Sequence, residues 1–131
     1  MLLRFILIFA LASAILAANH HLTCCEPESE RLSQSRVKAL VKKTEPILAP
    51  CCADMLRMSG TVVLAISVNP NVEVICVQTV AGHPLIIGVV IDSVRKWTFQ
   101  PYPSKGVKKT FCGQIALRFE ANEQSVKYEI V

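Results

Sequence analysis

At 131 residues the chain has room for a single domain, and it carries six cysteines. Its 14 basic and 10 acidic residues leave a net charge of +4, with aromatic residues at only 6%. That surplus is too thin, and too little interleaved with aromatics, for a nucleic-acid-binding surface.

Residues 1–18 have the layout of a secretory signal peptide: Arg4 near the start, an apolar run over 5–12, then small residues. The apolar stretch is shorter than the roughly 20 residues a spanning helix needs. Cleavage is expected after Ala17 or Ala18, giving a periplasmic or secreted protein; retention of the segment as a membrane anchor is the alternative. Removing it takes away Arg4 and no acid, so the exported chain keeps a net charge near +3. Either cleavage leaves His20 or His21 third from the new terminus. An amine, two amide nitrogens and an imidazole can hold Cu(II) or Ni(II) in a square plane. His20 and His21 are therefore metal candidates, against the simpler reading of a chance His pair.

All six cysteines lie beyond the signal segment, which suits an oxidising compartment. Neighbouring cysteines rarely bridge each other. Cys24 or Cys25 is expected to pair with Cys51 or Cys52, closing a loop of about 27 residues worth roughly 3–4 kcal/mol in the chain-entropy model. Adjacent thiols are not the C-x2-C pairs of a zinc site, and no redox C-x-x-C occurs.

Residues 19–49 read as a polar leader holding a short helix over 37–43, ended before Pro46. Pro50 opens a second short helical candidate through Met58, stopped by Gly60. From Thr61 the pattern changes to period two: Val62, Leu64, Ile66 and Val68 alternate with Val63, Ala65 and Ser67. Asn69-Pro70-Asn71 makes a turn, and 72–80 is again rich in β-branched residues, so the two runs form a hairpin. Residues 84–97 are ambiguous. The Ile-Ile-Gly-Val-Val-Ile run favours strand, while Ile86, Val90, Val94 and Trp97 fall at helical spacing behind Pro84. Lys105-Gly106 marks a loop. Over 111–119, Phe111, Ile115, Leu117 and Phe119 point one way, and Cys112, Gln114, Ala116 and Arg118 the other. The charged tail ends in 126–131, which fits a short strand.

Few side chains suggest chemistry. Arg95, Lys96, Lys105, Lys108 and Lys109 form an acid-free stretch that reads as a solvated helix end and loop, leaving an acidic partner or a membrane surface open. Trp97 and Phe99 read as either a ligand platform or core, His83 as a turn or cap residue, and Cys76 as a small apolar strand residue rather than a reactive thiol. No carboxylate pair, phosphate loop or metal triad appears, so neither an enzyme nor a cofactor is expected.

The run Gly82-His83-Pro84-Leu85, followed by Val94-Arg95-Lys96-Trp97-Thr98-Phe99-Gln100-Pro101, resembles the signature of TonB C-terminal domains. There an S-G-H-P-L turn leads into a helix ending A-V-x-x-W-x-F-x-P. Pro50-x-x-Ala53 with Gly60-Thr61-Val62-Val63 is similar to the family's Y-P-x-x-A … G-T-V-V entry, so residues 50–131 are read as a TonB C-terminal-like domain. The resemblance implies that 84–97 is a helix, and that the fold is α+β of ββαβ type.

Chain direction and a right-handed crossover then put the three antiparallel strands in the order 2-1-3, one face covered by the helix and preceded by short helical segments. Cys76 and Cys112 fall on non-adjacent strands, about 9–10 Å apart and too far to bridge. The third strand, 109–119, is left as a free edge.

The implied function is a TonB-like periplasmic protein-interaction module that pairs this edge with an extended segment of an outer-membrane receptor or another envelope protein, in support of energy-coupled transport. Lys108, Lys109, Cys112, Gln114, Ala116 and Arg118 are the expected partner-binding residues. A self-associating structural envelope protein (a homodimer) and an amino-terminal copper- or nickel-binding secreted protein are the alternatives. Three departures stand out. Val72 replaces the usual hairpin Gly, which implies a differently built turn; Val89, Val90 and Ser93 replace Ala in the helix; and no inner-membrane helix or Pro-rich spacer of a full transducer is present in the sequence.

Overall fold

A computed structural model describes residues 24–48, 58–104, 107–122 and 125–131. The signal segment, His20, His21, Cys51 and Cys52 lie outside the described residues, as does the helical candidate opened by Pro50 save its last residue, Met58, which begins a strand. In chain order the elements are β1 (Glu30–Arg31), α1 (Gln34–Leu40), β2 (Val41–Lys43), β3 (Met58–Val68), β4 (Val74–Ala81), α2 (Pro84–Val94), β5 (Thr98–Phe99), β6 (Pro103–Ser104), β7 (Val107–Lys108), β8 (Phe111–Ala121) and β9 (Val126–Ile130).

The centre is the pairing of β3 with β8, antiparallel and in register from Met58↔Ala121 to Val68↔Phe111. Period-two patterning explains why. Val62, Leu64, Ile66 and Val68 lie on the same face as Phe111, Ile115, Leu117 and Phe119, and all are fully buried. β4 takes the other side of β3, so these three strands have the expected order. The sheet nevertheless has five strands, not three: β1 runs parallel to the start of β8, and β9 antiparallel to its end. The tail folds back through a turn in which Ser125 N–H donates to Asn122 Oδ1 at 2.8 Å. Val126, Tyr128 and Ile130 then join the core side.

The ambiguous segment 84–97 is a helix over Pro84–Val94, ending three residues before Trp97. His83, extended at φ −77°, accepts the Leu85 N–H on Nδ1 at 3.2 Å as N-cap, and Pro84 occupies the first turn. Ile86, Val90 and Val94 are fully buried against the sheet, with Trp97 following them into the core. Gly82 before it, at φ +150°, sits where a Cβ would lie 3.1 Å from Val62. α1 covers the same face of the sheet through the fully buried Val37. It crosses β8 at Gly113, where a Cβ would stand 2.6 Å from Val37 Cγ2 and 2.8 Å from the Leu32 carbonyl. The helix expected over 37–43 thus starts earlier and ends at Leu40, because the β-branched Val41 turns extended and pairs with Phe99.

The hairpin between β3 and β4 keeps the backbone shape that Gly would supply. Val72 adopts φ +61°, its N–H donating to the Asn69 carbonyl at 2.9 Å, and Glu73 N–H donates to Asn69 Oδ1 at 2.9 Å. The expectation of a differently built turn is corrected: a β-branched residue takes the left-handed position.

Candidate functional site

Sheet edges are where a fold of this kind can take up another chain, so the outer side of each flanking strand matters. Along β8, alternate residues direct their backbone groups away from β3. The Thr110 and Cys112 carbonyls accept N–H donors from Glu30 and Leu32, each at 2.9 Å. Further along, the Ala116 carbonyl accepts from Val131 N–H at 2.9 Å, and Arg118 and Glu120 lie opposite Glu129 and Lys127. Only the Gln114 rung, between these two groups, has no backbone partner of this kind among the described residues. The expected free edge over 109–119 is therefore corrected: the leader covers its start and the tail covers its end.

The expected contact residues separate accordingly. Lys108 and Lys109 are exposed beside the leader, near Glu26 and Glu28 in a shared recess. Cys112 is buried in a disulfide and Ala116 is buried, so neither side chain is available to read an incoming strand. Gln114 is exposed. The Arg118 Nη1 donates to Glu129 Oε1 at 2.7 Å, an ion pair between side chains that are 60% and 64% exposed.

The four described cysteines lie on the sheet face opposite the helices. Cys24 bonds Cys76 on β4, and Cys25 bonds Cys112 on β8, each with Cα atoms 5.4 Å apart. Ser67 of β3 is register partner to both Cys76 and Cys112. The adjacent pair thus straddles the central strand and staples its two neighbours. The expected link from Cys24 or Cys25 to Cys51 or Cys52 is corrected, and the reason is reach: Cys76 and Cys112 are too far apart for each other, yet two adjacent thiols laid across β3 reach both. Among the described residues no group of three His, Cys, Asp or Glu side chains is placed to hold a metal ion.

Of the outer strands of this sheet, β1 is only two residues long, with Arg31 its single outward rung, which leaves β4 and β9. β4 changes register twice against β3, once between Val63 and Leu64 and once between Ser67 and Val68. Each shift leaves a β4 residue unpaired, Val80 and Ile75, which are 51% and 56% exposed. Bulges of this kind twist an edge out of line for a regular ladder. β9 has no register shift. Because Lys127, Glu129 and Val131 face β8, the backbone groups of Val126, Tyr128 and Ile130 point outward, and among the described residues no strand pairs with them. Beside this ladder stand Lys127 and Glu129 on one face and the half-buried Tyr128 on the other.

The result is a small α+β domain in which β9 keeps a regular outer edge with no strand paired to it among the described residues. Residues 50–121, more than half of the chain, match the family model of the Gram-negative bacterial TonB protein C-terminal domain, and the chain belongs to that family. No curated protein and no solved structure matches it. No helix among the described residues is long and apolar enough to cross a membrane.

Proposed function

We propose that this chain is a non-enzymatic, TonB-like envelope module that takes an extended segment of another protein onto the outer edge of β9. The observation that carries the reading is the contrast between edges: among the described residues β9 is regular and unpaired on its outer side, β4 is bulged, and β8 is covered at all but the Gln114 rung. Backbone groups of Val126, Tyr128 and Ile130 supply the ladder, and Lys127, Glu129 and Tyr128 select the sequence laid beside it. The resemblance makes an outer-membrane receptor or other envelope protein the partner, with energy-coupled transport as the process served. Export through the signal segment 1–18 places the module in the periplasm.

The test is photo-crosslinking in envelope extract from a reactive residue at Glu129, with one at Thr79 on β4 as control. A discrete adduct from Glu129, absent from Thr79 and lost in folded Ile130→Pro, is expected, since proline deletes an outward N–H donor. Equal adducts from both positions, or an adduct that survives Ile130→Pro, would remove the reading.

A second occupant of the same edge is another copy of the chain. Antiparallel pairing of two β9 strands about Tyr128 sets Lys127 opposite Glu129 and Val126 opposite Ile130 in both directions, as a two-fold interface requires. Sedimentation of the mature protein decides between the two. A concentration-dependent dimer abolished by Lys127→Glu and restored by Lys127→Glu with Glu129→Lys selects self-association.

A further inference from the structure

We infer that the Cys25–Cys112 disulfide is a reversible modification site, at which a dithiol reductant frees the leader strand and opens a second strand-docking edge on β8. The inference shares the strand-addition mode with the function proposed above, but concerns a different edge.

The leader crosses the sheet from one face to the other. Cys24 and Cys25 are bonded on the face opposite the helices, β1 passes alongside β8, and Leu32 and Val37 enter the core on the helix side. Between the cystines and Leu32 little else holds it. Glu30 N–H donates to the Thr110 carbonyl and Leu32 N–H to the Cys112 carbonyl. The side chains of Glu26, Glu28 and Arg31 are exposed, and none forms an ion pair or side-chain hydrogen bond with the described residues. The bond to Cys112 is what fixes β1 to β8, since Cys24 is tied to β4, on the far side of β3.

Releasing β1 changes the edge in kind. In the oxidised chain Gln114 is an isolated rung, too short to seat a strand. With the leader lifted, Thr110, Cys112 and Gln114 become three consecutive outward rungs, beginning beside the exposed Lys108 and Lys109. Those lysines favour an extended segment carrying acidic residues, as the leader itself does with Glu26, Glu28 and Glu30. The self-segment and the incoming strand compete for one ladder.

The chemistry balances by thiol–disulfide exchange. A thiolate of the dithiol attacks the sulfur of the half-buried Cys25, the bond to Cys112 breaks, and Cys112 leaves as a thiolate that takes a proton. The second thiol of the reductant then attacks the mixed disulfide and releases Cys25 as a thiol. Two electrons and two protons pass from the dithiol, which ends as a disulfide.

Amide hydrogen exchange on the full mature chain tests this with two matched variants. In Cys25→Ser/Cys112→Ser, the Glu30 and Leu32 amides are expected to exchange at least about tenfold faster, as in a locally opened segment, with β3–β8 amides and Val131 unchanged. In Cys24→Ser/Cys76→Ser they should keep their protection. A synthetic peptide of residues 26–33 should then shift the backbone amide signals of position 112 and of Gln114 in the first variant and not in the oxidised wild type. Should the first variant fail to fold, wild type titrated with dithiothreitol gives the same reading on the species opened at Cys25–Cys112. Unchanged Glu30 and Leu32 amides in the opened protein, equal acceleration in both variants, or no peptide-induced shift overturns the inference. None of these outcomes bears on crosslinking from β9.

Discussion

Ser93 stands at a helix position where the resembling family carries Ala, and its hydroxyl accounts for the exchange. Ser93 is buried, donates to the Glu45 carbonyl at 2.7 Å, and accepts the Trp97 indole N–H at 3.2 Å. The Tyr128 hydroxyl donates to the same carbonyl at 2.8 Å, while its ring stacks on Trp97 with centroids 5.9 Å apart. The Glu45 carbonyl therefore joins helix α2, through Ser93, and the edge strand β9, through Tyr128, to the leader at a single point. Ser93→Ala removes the acceptor of a buried indole donor and is expected to cost about 1–3 kcal/mol, because an unsatisfied buried group loses its full hydration. Guanidinium unfolding checks it; a change below about 0.5 kcal/mol would show that the relay contributes little. The core role of Trp97 was legible from its spacing behind the helix pattern. The relay was not, because the Glu45 carbonyl lies 48 residues from Ser93 and nothing in the leader marks it.

At the scale of elements, legibility followed the length of the repeating pattern. β3 and β8 are eleven residues each, and their pairing was readable from the alternation over Val62 to Val68 and Phe111 to Phe119. β1 is two residues, Glu30–Arg31, with no period to read; it is a strand because the adjacent cystines and Leu32 hold it against β8. The tail had its alternation in Val126, Tyr128 and Ile130, but the consequence for β8 was missed, and with it the position of the open edge. The bulges of β4 were also illegible, since Ile75 and Val80 look like ordinary strand residues until register with β3 is known. The hairpin turn joining β3 and β4 carries a cost that sequence did identify as a departure. A β-branched residue in the left-handed region loses roughly 1–2 kcal/mol relative to the right-handed one, against 0.5–1 kcal/mol for the freedom Gly gains when unfolded. Val72→Gly is therefore expected to stabilise the protein by about 0.5–1 kcal/mol. Denaturant unfolding measures it, and a destabilised variant would mean that Val72 contributes packing larger than its backbone strain.

On the scale of the whole molecule, the two disulfides set how much the chain depends on its compartment. Their partners are separated by 52 and 87 residues. Because Cys24 and Cys25 are adjacent, the second bond does not repeat the first: once Cys24–Cys76 has formed, Cys25–Cys112 closes a fresh loop through residues 76–112. Each closure is worth about 4 kcal/mol in the chain-entropy model, and the pair about 7–8 kcal/mol. That total is comparable to the 5–15 kcal/mol by which a domain of this size exceeds its unfolded state. Opening one bond should leave the sheet folded, as the leader release inferred above requires, whereas opening both should bring the chain near its folding midpoint. Unfolding in guanidinium with and without a phosphine reductant measures the effect. The midpoint is expected to fall by roughly 2 M on full reduction, with the slope rising because the reduced denatured chain is more expanded. Opening either bond by paired Cys→Ser changes should give close to half of that shift. If full reduction moves the midpoint by less than about 0.5 M, the cystines only decorate a sheet that the β3–β8 core already holds, and the chain would fold equally well in a reducing compartment.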